Sequence, residues 1–310
     1  PDSVYDYRIC AFNAYGTSTW ATAYAVITPD RFHAVGSVWD GGGADMLLTT
    51  GANWDTDVTP VLNGTIYANF ASGGSIAIVN TNAAFFGLSI HRNADFTIVD
   101  GGGALILGEG GVRAVNPDAD SREYTVAAPI ALAAEQRWGV TNNGAALTAL
   151  TISGPISDGA ASYGIAKSGN GRLILAGSNT YDGVTTVLAD GSLCVAHDNG
   201  LGSTNGNTTV ASGGWLEISN GVAVAEPLRL PADDTGGQGN LRSVAGTNRW
   251  TGTITQTASA RVRALSGSSL LLSGGVTGSY DLILAPDANA HVGVSNAVAI
   301  GSARKLVANG

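Results

Sequence analysis

One interval recurs in this chain. Thr185-Thr186-Val187 followed by Gly191-x-Leu193-x-Val195 returns as Thr208-Thr209-Val210 followed by Gly214-x-Leu216-x-Ile218, and every matched pair is 23 residues apart. A fixed spacing in this range marks a repeat architecture. One unit cannot bury its own apolar face, and stacking on a neighbour does so.

Shorter echoes extend the pattern in both directions. Gly103-x-Leu105-Ile106-Leu107 and Gly171-x-Leu173-Ile174-Leu175 precede the duplicated block, and Ser269-Leu270-Leu271-Leu272 and Asp281-Leu282-Ile283-Leu284 follow it. Between them, runs such as Phe96-Thr97-Ile98-Val99 are separated by Gly, Asn, Asp and Ser. Strands this short, with turn residues between them, predict an all-β chain. Residues 130–138 (IALAAEQRW) could pass for a helix, but the stretch is marginally short for one and reads as strand.

One coil per interval predicts a parallel β-helix. Leu, Ile and Val face inward, Thr, Asn and Ser form outward ladders, and glycines at the corners adopt positive φ. The repeats are expected over residues 61–310, and roughly 270 residues of such coils would make roughly 12 coils and a rod about 55 Å long at about 4.8 Å per coil. An array of β-sandwiches would need hairpins and a much longer repeat.

Composition narrows the setting. Charged residues are 13% of the chain, about half the usual share, Gly numbers 44 of 310, and Lys occurs only at Lys167 and Lys305. Such a turn-rich, weakly charged chain fits a secreted protein. A net charge of −9 without a run of Lys and Arg argues against nucleic acid as a partner. Cys10 and Cys194 are too few for a disulfide framework and read as small apolar residues. No apolar run of membrane-spanning length is present. Both ends read as cut from a longer protein: Pro1-Asp2-Ser3 shows no leader, and the tail from Lys305 starts a further apolar strand.

Two further blocks precede the repeats. In residues 1–29, Tyr5-x-Tyr7-Arg8-Ile9-x-Ala11-x-Asn13-x-x-Gly16-x-Ser18-x-Trp20 resembles the last two strands of a fibronectin type III module, which would make Tyr5 its corner tyrosine. Residues 30–60 carry Trp39, the bend Gly41-Gly42-Gly43 and Trp54. They are expected to form a lid over the open first coil. The glycine run lacks the strand, Lys and helix of a phosphate-binding loop.

The duplicated block also carries a family resemblance. Lys167, Gly169, Gly171, Leu173 and Leu175, then Gly177, Asn179, Tyr181, Gly183, Thr185, Val187, Gly191 and Leu193, resemble the autotransporter-associated β-strand repeat, also called the passenger-associated transport repeat. The resemblance implies a right-handed parallel β-helix presented outside the cell. It does not extend to the membrane barrel that ends an autotransporter, because no barrel pattern is present. Gly177, Gly183 and Gly191 are expected at bends, Asn179 bonded to turn backbone, and Tyr181 at a coil edge with its hydroxyl in water.

Few residues ask for chemistry. His33, His91, His197 and His291 are scattered without metal-ligand spacing, and no nucleophile motif is present. The loop from Asn116 to Glu123 (NPDADSRE) has alternating oxygen donors that calcium could use, but Glu123 and Pro129 stand where an EF-hand needs Gly and Glu. Asp233-Asp234 is a second such loop. The expectation is a structural or adhesive extracellular segment without catalysis or cofactor, calcium aside, that contacts its own or neighbouring chains, glycans or other surface polymers. A carbohydrate-active β-helix and a filament subunit stacking end to end are the alternatives.

Overall fold

The computed structural model describes residues 4–9, 12–13, 16–17, 21–27, 36–144, 147–230, 238–299 and 306–308; residues before 36 and the segment 306–308 are described by backbone pairing only. The chain divides into two compact units, residues 1–36 and 37–310. In the first, Val4–Ile9 pairs antiparallel with Ala21–Ile27, and Phe12–Asn13 with Gly16–Thr17. The side chain of Tyr5 and the whole of Cys10 lie outside the described residues.

The second unit is a parallel β-solenoid. Eleven strands, from Ile76–Val79 to Leu306–Ala308, stack into one sheet, and a second sheet of fourteen strands runs beside it. A third sheet of four strands joins from Ala223–Val224 to His291–Val294. From Tyr67–Phe70 onward the strand pairs described in these sheets are parallel, for example Thr185↔Thr208, Leu193↔Leu216 and Leu216↔Leu241. The interval of 23 residues is therefore one coil.

The eleven stacked strands give about ten turns and, at about 4.8 Å per step, a rod of about 48 Å, shorter than the sequence predicts. This sheet starts only at Ile76, and its coils vary in length, the shortest running 20 residues from Leu173 to Leu193. Tyr124 pairs with Phe96 and Leu150 with Tyr124, intervals of 28 and 26 residues. Residues 130–138 contain no helix; they hold the strand Ile130–Leu132 and the start of Gln136–Thr141, with a bend over 133–135 between them.

The core is one column of inward residues. Leu150, Leu173, Leu193, Leu216, Leu241 and Val262 stack in register and are fully buried, and Leu284 continues the column. Period-two alternation places every second residue of a strand there. Full burial of each such side chain contributes about 1.5–3 kcal/mol, and the contribution repeats with each coil.

The tryptophan block packs against the first coils. Trp39 and Trp54 form an antiparallel bridge, cross edge to face at 5.4 Å and are fully buried. Phe70 packs at 5.9 Å from Trp39 and 5.1 Å from Phe96, which continues the aromatic cluster into the solenoid. The Trp54 indole N–H donates to the Leu48 carbonyl at 2.9 Å. Gly43 must be glycine, because a Cβ there would stand 2.5 Å from the Asn53 amide oxygen. That same oxygen accepts the Gly43 N–H at 2.8 Å, so the bend and the asparagine lock each other.

Candidate functional site

The duplicated block is built from a few polar side chains turned into the rod. Asn179 is buried. Its amide oxygen accepts the Ile156 N–H at 2.9 Å from the preceding coil, and its amide nitrogen donates to the Gly200 carbonyl at 2.7 Å in the following one. It joins three coils through groups that would otherwise be unpaired backbone. Turn backbone is the expected partner; Gly200 lies in a turn, while Ile156 opens the strand Ile156–Ser157.

Tyr181 and Thr185 differ from expectation. Tyr181 is fully buried, and its hydroxyl lies 2.7 Å from that of Thr185. Thr185 and Thr208 are also fully buried, in register with each other, so the threonine ladder predicted for the outside runs along the inside. Val187 is buried too, and in a strand of period two that requires Thr185 to face the same way. Thr186 takes the outward place.

Of the motif glycines, Gly169 has positive φ (77°), whereas Gly177, Gly183 and Gly191 serve close approach without it. A Cβ on Gly177 would stand 2.2 Å from the Gly154 carbonyl oxygen, and one on Gly183 would stand 2.1 Å from the Tyr163 carbonyl carbon. On Gly191 it would stand 2.9 Å from the Leu188 oxygen. Positive φ falls instead at Asp190 (59°) and, one coil on, at Gly213 (77°). Leu193 completes the motif in the core column.

Two ionisable groups sit deep in this region, and no local pattern around either one signals its burial. Lys167, the first residue of the motif, is fully buried, and its ammonium donates to the carbonyls of Ser168 and Gly169 at 2.7 Å each. Loss of hydration pulls it down to about 7. Glu226 is buried with neither carboxylate oxygen hydrogen-bonded, and desolvation pushes it up to about 8. Burial also raises Tyr181, with Glu226 and Asp158 adding to the shift.

On the outside of the eleven-stranded sheet lies an ion-pair relay. Glu217 takes Arg172 at 2.7 Å on one oxygen and Arg242 at 2.5 Å on the other. The Arg242 guanidinium lies over the Trp215 ring, 4.9 Å from its centroid. Arg263 continues the line and binds Asp287 at 2.8 Å. Cys194 stands in register with Glu217 and Ile174, opposite to the core column. It is buried, and burial pushes its thiol up. It is a shielded residue of the outer face, where the sequence suggested a core position.

The candidates for metal chemistry do not converge. His197 accepts the Asn199 N–H at its Nδ1 (3.1 Å), closing a turn, while His91 and His291 are exposed. In the acidic loop, Arg122 occupies the space between the carboxylates, 2.8 Å from Asp118 and 3.1 Å from Asp120. Among the described residues, no group of three His, Cys, Asp or Glu is arranged to hold a metal ion. His33 and Asp233-Asp234 lie outside those residues. Among them, too, no helix is long and apolar enough to cross a membrane.

Comparison with known proteins agrees with the coil geometry. No curated protein and no solved structure matches the chain. Residues 165–193 match the family described as Passenger-associated-transport-repeat, and these are the residues that run from the buried lysine strand through Asn179 and Tyr181 to Leu193.

Proposed function

We propose that this chain is a structural segment of a large secreted bacterial protein, a stalk or surface-presented passenger that acts through its length and shape and carries no catalysis. One observation carries the reading: the matched repeat spends its polar side chains on its own coils. Asn179, Tyr181, Thr185 and Lys167 are buried, and their side-chain bonds all stay inside the rod. An active site needs convergent polar groups open to a substrate. The family match supports presentation at or beyond the cell surface. The antiparallel strands of residues 1–29 support a fibronectin type III-like remnant ahead of the rod. In this reading the protein needs no cofactor.

The test is to express the parent protein in a bacterium and treat intact cells with a protease. The expected result is a protected fragment of about this segment's size, released from the surface and rod-like by small-angle scattering. Retention inside the cell would overturn the reading. So would product release from acidic or neutral polysaccharides, with or without calcium.

A further inference from the structure

The triplet Asn-x-Thr, with x other than Pro, occurs twice in the chain, as Asn63-Gly64-Thr65 and as Asn207-Thr208-Thr209. It is the acceptor sequence for a sugar on the asparagine amide, and it belongs on the surface of a secreted protein. The fold treats the two copies differently.

Asn63 and Thr65 are both exposed. The Asn63 amide oxygen accepts the Thr65 backbone N–H at 3.2 Å and the Thr65 hydroxyl at 2.6 Å. The backbone donor fixes which end of the amide is oxygen, and among the described residues the Nδ2 at the other end has no hydrogen-bond partner. The turn is anchored at the middle residue, where the Gly64 N–H donates to the Ala84 carbonyl at 2.9 Å. An open hollow of about 360 Å³ adjoins it, and Asn63 and Thr65 line that hollow with Thr56, Val58, Thr59 and Val61. Val58 and Val61 are 64% and 66% exposed. Asn207, by contrast, is half-buried, and its carbonyl accepts the Thr185 N–H at 3.0 Å. Its neighbour Thr208 is fully buried, and the strand Thr208–Val210 lies between the strands of the coils before and after it.

We propose that Asn63 is a glycosylation site and that Asn207 is not. The donor is a sugar activated at its anomeric carbon by a diphosphate, and the catalyst is a glycosyltransferase of the producing cell. The bond from Nδ2 to the anomeric carbon forms as the bond from that carbon to the diphosphate oxygen breaks. The diphosphate leaves with the electron pair, and Nδ2 gives up one proton to the transferase. An amide nitrogen is a poor nucleophile because its lone pair is delocalised into the carbonyl. The Thr65 hydroxyl stabilises the negative charge that collects on Oδ1 as the proton departs, so the third residue of the triplet needs its hydroxyl. The hollow gives the attached sugar a place to lie, and its apolar ring face would cover Val58 and Val61. The inference rests on the proposed presentation of the chain outside the cell.

The experiment is peptide mapping by tandem mass spectrometry of the parent protein, purified from the cells that naturally make it. A sugar mass on Asn63 and none on Asn207 is expected. A modified cytosolic precursor would identify the donor as a nucleoside diphosphate sugar, and modification of the exported protein alone would identify it as a lipid diphosphate sugar. Asn63→Gln and Thr65→Val should each lose the sugar and Thr65→Ser should keep it, with circular dichroism melts showing that each variant folds. The proposal fails if Asn63 is bare, if Asn63 and Asn207 are modified alike, or if folded Thr65→Val carries the sugar as the parent does. Bare Asn63 on protein recovered from the cell surface would overturn this inference alone. Retention of the protein inside the cell would overturn the reading it rests on.

Discussion

The hydroxyls of Tyr181 and Thr185 meet at 2.7 Å inside the solenoid, and neither side chain reaches solvent. The pair satisfies two polar groups that the core would otherwise strand. Tyr181→Phe keeps the ring and leaves the Thr185 hydroxyl alone. The expected loss is about 1–2 kcal/mol in urea unfolding. Tyr181→Ala removes the ring as well and should cost about 3–5 kcal/mol. Equal losses for the two variants would show that the ring contributes nothing.

Asn179 bonds one backbone group in the coil before it and one in the coil after it. Asn179→Ala leaves the Ile156 N–H and the Gly200 carbonyl without that partner. A loss of about 2–4 kcal/mol is expected, from two buried groups left unsatisfied. Hydrogen exchange at the Ile156 amide should accelerate before exchange elsewhere in the same strand does.

The glycine requirement differs between positions. Gly183→Ala drives a Cβ to 2.1 Å from the Tyr163 backbone and is expected to destabilise strongly or to prevent soluble expression. Gly213→Asn should be mild, because Asp190 holds the matching place one coil earlier with a φ of 59° and asparagine tolerates that region. Melting temperatures of the two variants should therefore rank far apart.

Glu226 and Lys167 make stability depend on pH in opposite senses. Glu226 is raised from its ordinary value to about 8, so the folded chain holds the proton that the unfolded chain releases. Its contribution is full below the usual carboxylate range and declines as pH rises to about 8. Lys167 is lowered to about 7 from an ordinary 10.5, so the unfolded chain binds the extra proton between those values. Stability from this group rises with pH across that window. Glu226→Gln should flatten the fall in melting temperature between pH 5 and 8, and Lys167→Met should flatten the rise above pH 7. A Glu226→Gln profile parallel to that of the parent would show that the carboxyl is not the source.

The Glu217 relay is a staple between coils. Glu217→Ala leaves Arg242, whose side chain is 12% exposed, without its counter-charge. A loss of about 3 kcal/mol is expected, at the lower end for a broken buried pair because Arg172 is more exposed. Circular dichroism melts at low and at high salt check this, with little salt dependence for the parent pair.

Local pattern carried most of the fold. The repeat of TTV and of Gly-x-Leu fixes the coil, and the bulk of Trp39 and Trp54 announces their burial, because large apolar groups near a bend must be covered. The direction of Thr185 was also legible, since Val187 shares its face, but side-chain polarity pointed the other way. What could not be read depends on partners in other coils. Glu217 meets Arg172 from two coils before it and Arg242 from the coil after, and nothing near Glu226 in the chain announces that its carboxyl is buried. Register sets those meetings, and register emerges only when the coils are stacked.

The shared register of successive coils has a further consequence. Asp190 and Gly213 hold the same place in consecutive coils, as do Thr185 and Thr208. The cross-section presented by one coil is thus nearly the one presented by the next. Excision of residues 185–207 would join two compatible faces, and duplication of the same segment would insert another. Either edit changes reach by about 4.8 Å and leaves the joints alike. In the proposed structural role such a chain would work as a ruler, with a reach adjustable one graduation at a time.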